Sequence, residues 1–183
     1  MPVLDAPTTA QLNGLLANLR RPIELIASLD GSAKSTEVQS LVEEIAVLSD
    51  KVTARSDGHA ERRPSFAIRA VEDSSAEVTF AGLPLGHEFT SLILGLLHVG
   101  GHPPKEDAEL LDAVRNLEGE FRFETFFSLS CQNCPDVVQA LNIMAALNPG
   151  VSHTAIDGAL FQDEVERRKV MACLLYTSPS PRD

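Results

Sequence analysis

The sequence predicts an α/β fold built from two related halves, and three observations predict it. The order strand, turn, helix, strand occurs twice along the chain. Shifted by 100 residues and without a gap, the chain repeats itself. Ser28 and Leu29 then fall on Ser128 and Leu129, and Val38, Gln39, Leu41 and Ala46 fall on Val138, Gln139, Leu141 and Ala146. Finally, a Cys-x-x-Cys pair, Cys131 and Cys134, stands where the second apolar run gives way to an amphipathic helix.

Each element has a local reason. Leu12, Leu15, Leu16 and Leu19 share one face of a helix over residues 9–19, which Arg20-Arg21-Pro22 closes. Residues 23–29 read as a buried strand and Asp30-Gly31-Ser32 as a turn. Val38, Leu41, Val42, Ile45 and Leu48 give a second helix. Short strands follow at 52–55, 65–70 and 77–81, with a polar loop over 56–63. An apolar helix spans 87–98 and stops at Gly100-Gly101-His102-Pro103. A connecting helix covers 104–117. The second half then runs strand 121–129, helix 135–147, strand 151–157 and helix 159–168. From Cys173 the chain reads CLLYTSPSPRD, with neither period nor core pattern, and is expected to be a non-native, unpacked tail. It interrupts the second repeat before strands that the first repeat has, so part of that sheet edge is expected to be uncovered. The domain boundaries are therefore 1–102 for a redox-inactive repeat, 103–172 for the repeat with the cysteines, and 173–183 for the tail.

Composition narrows the function. The chain has 183 residues, 44% apolar and 22% charged, with a formal net charge of −11. Such an acidic surface repels phosphate, which argues against nucleic acid and anionic membranes as partners. No apolar run is long enough to span a bilayer. The N-terminus lacks the basic and apolar regions of a signal peptide, so a cytoplasmic location is expected. Cysteines in that compartment are more often catalytic or metal-binding than structural.

The pair Cys131-Gln132-Asn133-Cys134 is followed by Pro135, suited to the first helical turn because its missing N–H is not needed there. The spacing places Cys131 at a helix N-terminus, where free N–H groups and the helix dipole favour a thiolate. Cys131 is thus the expected attacking sulfur and Cys134, one turn deeper, the resolving one. Two alternatives stand beside this: a zinc site drawing on Cys173, His153 or His102, and a pair of inert buried cysteines. His59, His87, His98 and His102 are more simply caps, surface or core groups. Glu88 reads as a first-turn acid opposing the dipole, and Glu61-Arg62-Arg63 as a solvated loop. In the first repeat Gly31 and Lys34 occupy the places of the two cysteines.

The segments RPIELIASLDGSAKS, AGLPLGHEFTSLILGLL, VGGHPPK and FETFFSLSCQNCPDVVQALNIMAALNPGVSHTAIDG resemble the N-terminal domain of the F component of alkyl hydroperoxide reductase, over residues 4–172. That resemblance implies two tandem thioredoxin-like folds, the second incomplete at its C-terminus. It implies a relay in peroxide detoxification, passing electrons by thiol–disulfide exchange from an NADH-dependent flavoprotein to a peroxiredoxin. FAD and NADH belong to the full-length family, with its own flavoprotein domain and an expected homodimer. No cofactor or metal is expected in this stretch, which contains no GxGxxG. By position Cys131 and Cys134 match the redox pair, Glu88 a glutamate that tunes the thiol, and Pro64 a loop proline expected cis. The rival readings are a free-standing glutaredoxin-like oxidoreductase and a non-catalytic interaction module.

Overall fold

Helix α1, Ala6–Leu16, opens where Asp5 accepts a hydrogen bond from the Thr8 N–H and Pro7 occupies the first turn. It starts three residues earlier than its leucine spacing predicts, because this cap lies ahead of the apolar stripe. Strand β1, Ile23–Ser28, leads into α2, Ala33–Ala46, capped by the Ser32 hydroxyl. Strands β2, Val52–Arg55, β3, Ser65–Ala70, and β4, Glu77–Ala81, fall on their predicted residues. A single 3-10 turn, Gly86–Glu88, then precedes α3, Phe89–Val99. Helix α4, Ala108–Arg115, is shorter than predicted, since Asp107 caps it with a bond from the Glu109 N–H. The second half runs β5, Phe121–Phe127, α5, Cys134–Leu147, β6, Val151–Asp157, and α6, Gln162–Arg167. A last strand, β7, is Leu174–Thr177. This computed structural model describes residues 1–128, 131–171 and 174–177. The end of the predicted strand 121–129 with Ser130, Ala172, and Cys173 and residues 178–183 of the predicted tail lie outside the described residues.

Among the described residues, seven strands join one sheet in the order β2-β1-β3-β4-β6-β5-β7. Within the first half, β1 and β2 are parallel, joined by the α2 crossover, and β3 and β4 are antiparallel to their neighbours. The second half repeats the crossover, with β5 and β6 parallel around α5. The halves meet where β4 pairs with β6, so they share a sheet. This is a tandem of thioredoxin-like folds. The 100-residue offset carries α2 onto 133–146, one residue from α5.

Within the tail, residues 174–177 depart from the expectation that it is unpacked. Leu174–Thr177 pairs antiparallel with β5 over Arg122–Thr125. That is the place β3 holds beside β1, so this part of the β5 edge is covered. An edge strand is recruited by unpaired backbone N–H and C=O groups, whatever the period of its side chains.

The main core lies on the face that carries α2, α3 and α5. Leu25, Phe66, Phe80 and Phe127 from the strands meet Leu12, Leu41, Leu92 and Val138 from the helices, all buried. Phe66 and Phe80 stack with centroids 5.7 Å apart. On the other face α6 covers a smaller cluster of Ala81, Phe126 and Ile156. Adjacent residues Phe126 and Phe127 thus serve opposite faces, as strand alternation requires. Among the described residues no helix is long and apolar enough to cross a membrane.

Loop 56–63 is bound to the end of β1. The Gly58 N–H donates to the Ala27 carbonyl at 3.0 Å and the Ala60 N–H to the Ser28 Oγ at 3.0 Å. A Cβ on Gly58 would lie 2.3 Å from that oxygen and 2.8 Å from the Ala27 carbonyl. Gly58→Ala is therefore expected to cost about 1–3 kcal/mol through overpacking. The check is the urea midpoint, which stays unchanged if the loop yields freely.

Candidate functional site

Strand β5 points its C-terminal end at the turn that carries the cysteines. The Cys131 N–H donates to the Ser128 carbonyl at 3.0 Å, and α5 begins at Cys134. Pro135 fills the first turn, and Asn133, the N-cap, contributes no side-chain bond. The first helical N–H groups are thereby left facing Cys131. Cys131 and Cys134 are thiols, not joined in a disulfide; Cys131 is half-buried, whereas Cys134 is 3% exposed. A hydrogen bond from the Cys134 thiol holds the Cys131 thiol below its usual range, helped by the Asn133 and Cys134 backbone N–H groups. Desolvation and the negative charge of Glu88 act the other way.

Glu88 belongs to the first half, in the turn before α3, and has no exposed surface. By ordinary hydrogen-bond geometry neither of its carboxylate oxygens has a partner. Burial pushes its carboxyl up, and Ser91 offsets this in part. The helix start is thus not a solvated acid balancing a dipole, as the sequence position alone suggests. Helices α3 and α5 pack together, which brings Glu88 within electrostatic reach of Cys131. The Arg63–Pro64 peptide bond is cis.

The other candidates lie elsewhere. His153 is 2% exposed and both ring nitrogens are engaged, with Thr125 Oγ1 at 2.9 Å and Asn142 Oδ1 at 2.7 Å. Its burial pulls its pKa down to about 3. It is a core histidine pinning α5 to β5 and β6. His98 is buried, which lowers its pKa to about 4; His59 and His87 are exposed and His102 is half-buried. Among the described residues no group of three metal-binding side chains converges. A nucleotide cradle is not formed by Gly100 and Gly101 either. They follow a helix, and a Cβ on Gly100 would lie 2.3 Å from Leu19 Cδ2, so that glycine serves close packing. A cleft of about 640 Å³ between α1, α3 and α5 is lined by Leu15, Leu97, His98, Asp136 and Gln139, without either cysteine.

Arg62 corrects the reading of residues 61–63 as a solvated loop. Its guanidinium makes two bonds to Glu164, at 2.6 and 2.9 Å, and lies 3.2 Å from Glu124. Arg168 also bonds both glutamates and stacks over Phe126. These charges tie the loop before Pro64 to β5 and α6. They were not legible as a set, because residues 62, 124, 164 and 168 meet only through the sheet.

Hydrogen bonding to Arg62 holds the Glu164 carboxyl below its usual range. Burial would raise Glu124, but Arg168 and Arg62 outweigh it and the net shift is downward. Depressed carboxyls stabilise the fold above their unfolded pKa and lose that contribution as pH falls through the folded value. Urea stability is therefore expected to decline below about pH 4, and less steeply in Glu164→Gln. Equal slopes for the two proteins would show that the cluster does not couple to folding.

No protein-family model matches the chain. The F component of alkyl hydroperoxide reductase from Pseudomonas putida is 59% identical over 170 residues, 93% of this chain and 32% of that protein. The Escherichia coli (strain K12) protein of the same name is 55% identical, over 92% of this chain and 32% of its own length. A Bacillus subtilis protein named NADH dehydrogenase is 47% identical over 93% of this chain and 33% of its own. The chain thus spans 32–33% of the length of these curated relatives. The crystal structure of the NTD_N/C domain of alkylhydroperoxide reductase AhpF from Enterococcus faecalis has a TM-score of 0.84 at 29% identity, covering 98% of this chain and 95% of that one. A protein disulfide oxidoreductase from Aeropyrum pernix shares the fold, with a TM-score of 0.74 at 20% identity. The matched segments include the CxxC turn and the Glu88 turn in one tandem architecture: the chain belongs to the AhpF family, the F components of alkyl hydroperoxide reductase, and corresponds to its N-terminal thioredoxin-like domain.

Proposed function

We propose that this chain is a disulfide-exchange relay in peroxide reduction, passing electrons from an NADH-dependent flavoprotein reductase to a peroxiredoxin. The observation that carries it is the Cys131–Cys134 pair at the start of α5, one thiol accessible and the other buried. Cys131 thiolate attacks one sulfur of the peroxiredoxin disulfide. That S–S bond breaks, a mixed disulfide forms, and the departing thiolate takes a proton. Cys134, having lost its proton, attacks the Cys131 sulfur. The second peroxiredoxin thiolate leaves and is protonated, and Cys131 and Cys134 end as a disulfide. Two electrons and two protons have then moved to the peroxiredoxin. Glu88 supports this role as a carboxyl that can exchange protons beside the pair, and its charge opposes a permanent thiolate. Restoring the dithiol needs a two-electron donor. FAD and NADH suit that task in the longer relatives, but the residues of this chain do not fit a dinucleotide.

The test uses Cys134→Ser in a Cys173→Ser background, mixed with a bacterial peroxiredoxin in its disulfide form. A one-to-one adduct that dithiothreitol releases is expected, and peptide mass analysis should place it at Cys131. The absence of an adduct, or an adduct that persists when Cys131→Ser is added as a control, removes the reading.

A further inference from the structure

We infer that Gly158 is a positioning residue for Cys131: its backbone N–H, held to the Phe127 carbonyl, fixes the base of the turn from which Cys131 meets Cys134. The role assigned to it rests on the exchange chemistry proposed above. Phe127 is the last residue of β5, and the Gly158 N–H donates to its carbonyl at 2.9 Å. The Cys131 N–H donates to the next carbonyl, that of Ser128, at 3.0 Å, and α5 takes over at Cys134. A peptide plane held by a neighbouring strand does not rotate freely, so this bond sets where the cysteine turn starts. A Cβ on Gly158 would meet the Phe127 oxygen at 3.4 Å and Val165 Cγ2 at 3.7 Å, both ordinary contacts. What position 158 supplies is therefore its N–H, not the absence of a side chain.

The first repeat shows the bond to be more than a continuation of strand pairing. At the 100-residue offset Asp57-Gly58 falls on Asp157-Gly158, and Ala27 on Phe127. The Gly58 N–H donates to the Ala27 carbonyl at 3.0 Å, which is the same bond. Yet the two ladders differ by one residue in register: Ile26 faces Arg55, whereas Phe126 faces Ile156. The bond recurs across that shift, so each repeat holds the strand end before Gly31 or Cys131 in one way. What differs is the aspartate. Asp57 is exposed and lies 3.5 Å from Arg55. Asp157 is 8% exposed, and its Oδ1 accepts from the Ala159 N–H at 3.0 Å and the Leu160 N–H at 3.4 Å. Those bonds close the turn 157–160 around Gly158. The same turn lies against Gly82, at the end of β4. A Cβ there would be 2.8 Å from Asp157 Cβ and 3.3 Å from Leu160 Cδ2, and Gly82 takes φ +104°, a left-handed conformation that suits glycine. From Gly82 the chain runs on to the Gly86–Glu88 turn. One turn of the second repeat is thus fixed between the approach to Cys131 and the approach to Glu88.

The experiment uses the whole chain with Cys173→Ser, equilibrated in glutathione buffers. One glutathione disulfide takes two electrons and two protons from the dithiol and leaves as two glutathione thiols, and Cys131 and Cys134 are joined. The equilibrium constant of that exchange reads how well the turn holds the two sulfurs together. Gly158→Pro has no N–H to donate and is expected to lower the constant about tenfold, which raises the reduction potential by about 30 mV. Gly158→Ala, the conservative variant, keeps the N–H and should restore the constant. Asp157→Ala should act in the direction of Gly158→Pro and less, and Asp157→Asn, which keeps Oδ1, should rescue it. Gly58→Ala loosens the other repeat and should leave the constant where it is. An unchanged constant in Gly158→Pro overturns the inference, and so does an equal drop in Gly58→Ala, which would assign the effect to general loosening. Should Gly158→Pro not fold, Asp157→Ala is judged against Asp157→Asn, and equal constants overturn the inference. If the chain without these substitutions forms no Cys131–Cys134 disulfide, the exchange reading falls and the role of Gly158 with it. A disulfide that forms there and does not respond to Gly158→Pro removes the role of Gly158 alone.

Discussion

At pH 7, iodoacetamide is expected to modify Cys131 about tenfold or more faster than Cys134. Exposure and ionisation both favour it. Cys131 is half-buried at a helix start, whereas Cys134 is 3% exposed and packed in the core. The Cys134 thiol and two backbone N–H groups support a thiolate at Cys131. The first of these donors disappears in Cys134→Ser only in part, since a hydroxyl replaces the thiol, so Cys131 should stay reactive there. Glu88→Gln removes the nearby negative charge and should carry the alkylation profile to lower pH without unfolding the chain. Peroxiredoxin reduction can be followed in the same variant: loss of a carboxyl able to exchange protons should slow turnover even as the thiolate fraction rises. Faster alkylation of Cys134 would reverse the assigned roles. An alkylation profile indifferent to Glu88→Gln would reduce that glutamate to a buried charge without influence.

Glu124→Ala is expected to cost about 3–5 kcal/mol, because it breaks a largely buried cluster and leaves two guanidinium groups with Glu164 as the remaining carboxylate they share. Glu124 is 3% exposed, and Arg62 and Arg168 both bond it. For a chain of this size that loss lowers Tm by roughly 10 °C. Glu61→Ala on the same loop is the control: its side chain is exposed, and surface changes of this kind stay within about 0.5 kcal/mol. The effect should also be structural in a directed way. Loop 56–63 should lose hydrogen-exchange protection together with α6, since Arg62 and Glu164 hold them to one another. A melting temperature equal to that of Glu61→Ala would show the cluster to be a solvated surface feature.

Local chemistry was readable along the chain wherever a few neighbouring residues suffice. Strands β2, β3, β4 and β6 sit on their predicted residues, since apolar alternation and turn residues act over short stretches. The CxxC turn was readable for the same reason. Its chemistry depends on a helix beginning at Cys134, and Pro135 announces that start. The internal repeat was readable because each half must bury a strand and a helix at the same spacing. Helix ends were less so: Asp5 and Asp107 act as caps through single side-chain bonds that the apolar period does not register.

What no stretch of sequence disclosed is what the sheet brings together. Whether Glu88 is a surface acid or a buried one depends on α5, supplied by residues far downstream, closing over it. Arg62 reads as solvated until β5 and α6 arrive with Glu124 and Glu164. Leu174–Thr177 has no strand period, yet it lies on β5 because the open edge offers it backbone partners. Secondary structure and the place of the Cys131–Cys134 turn at a helix start follow from short-range sterics, period and capping. Burial, and with it the upward shift of the Glu88 carboxyl, follows from which elements pack together, and that is a property of the folded sheet.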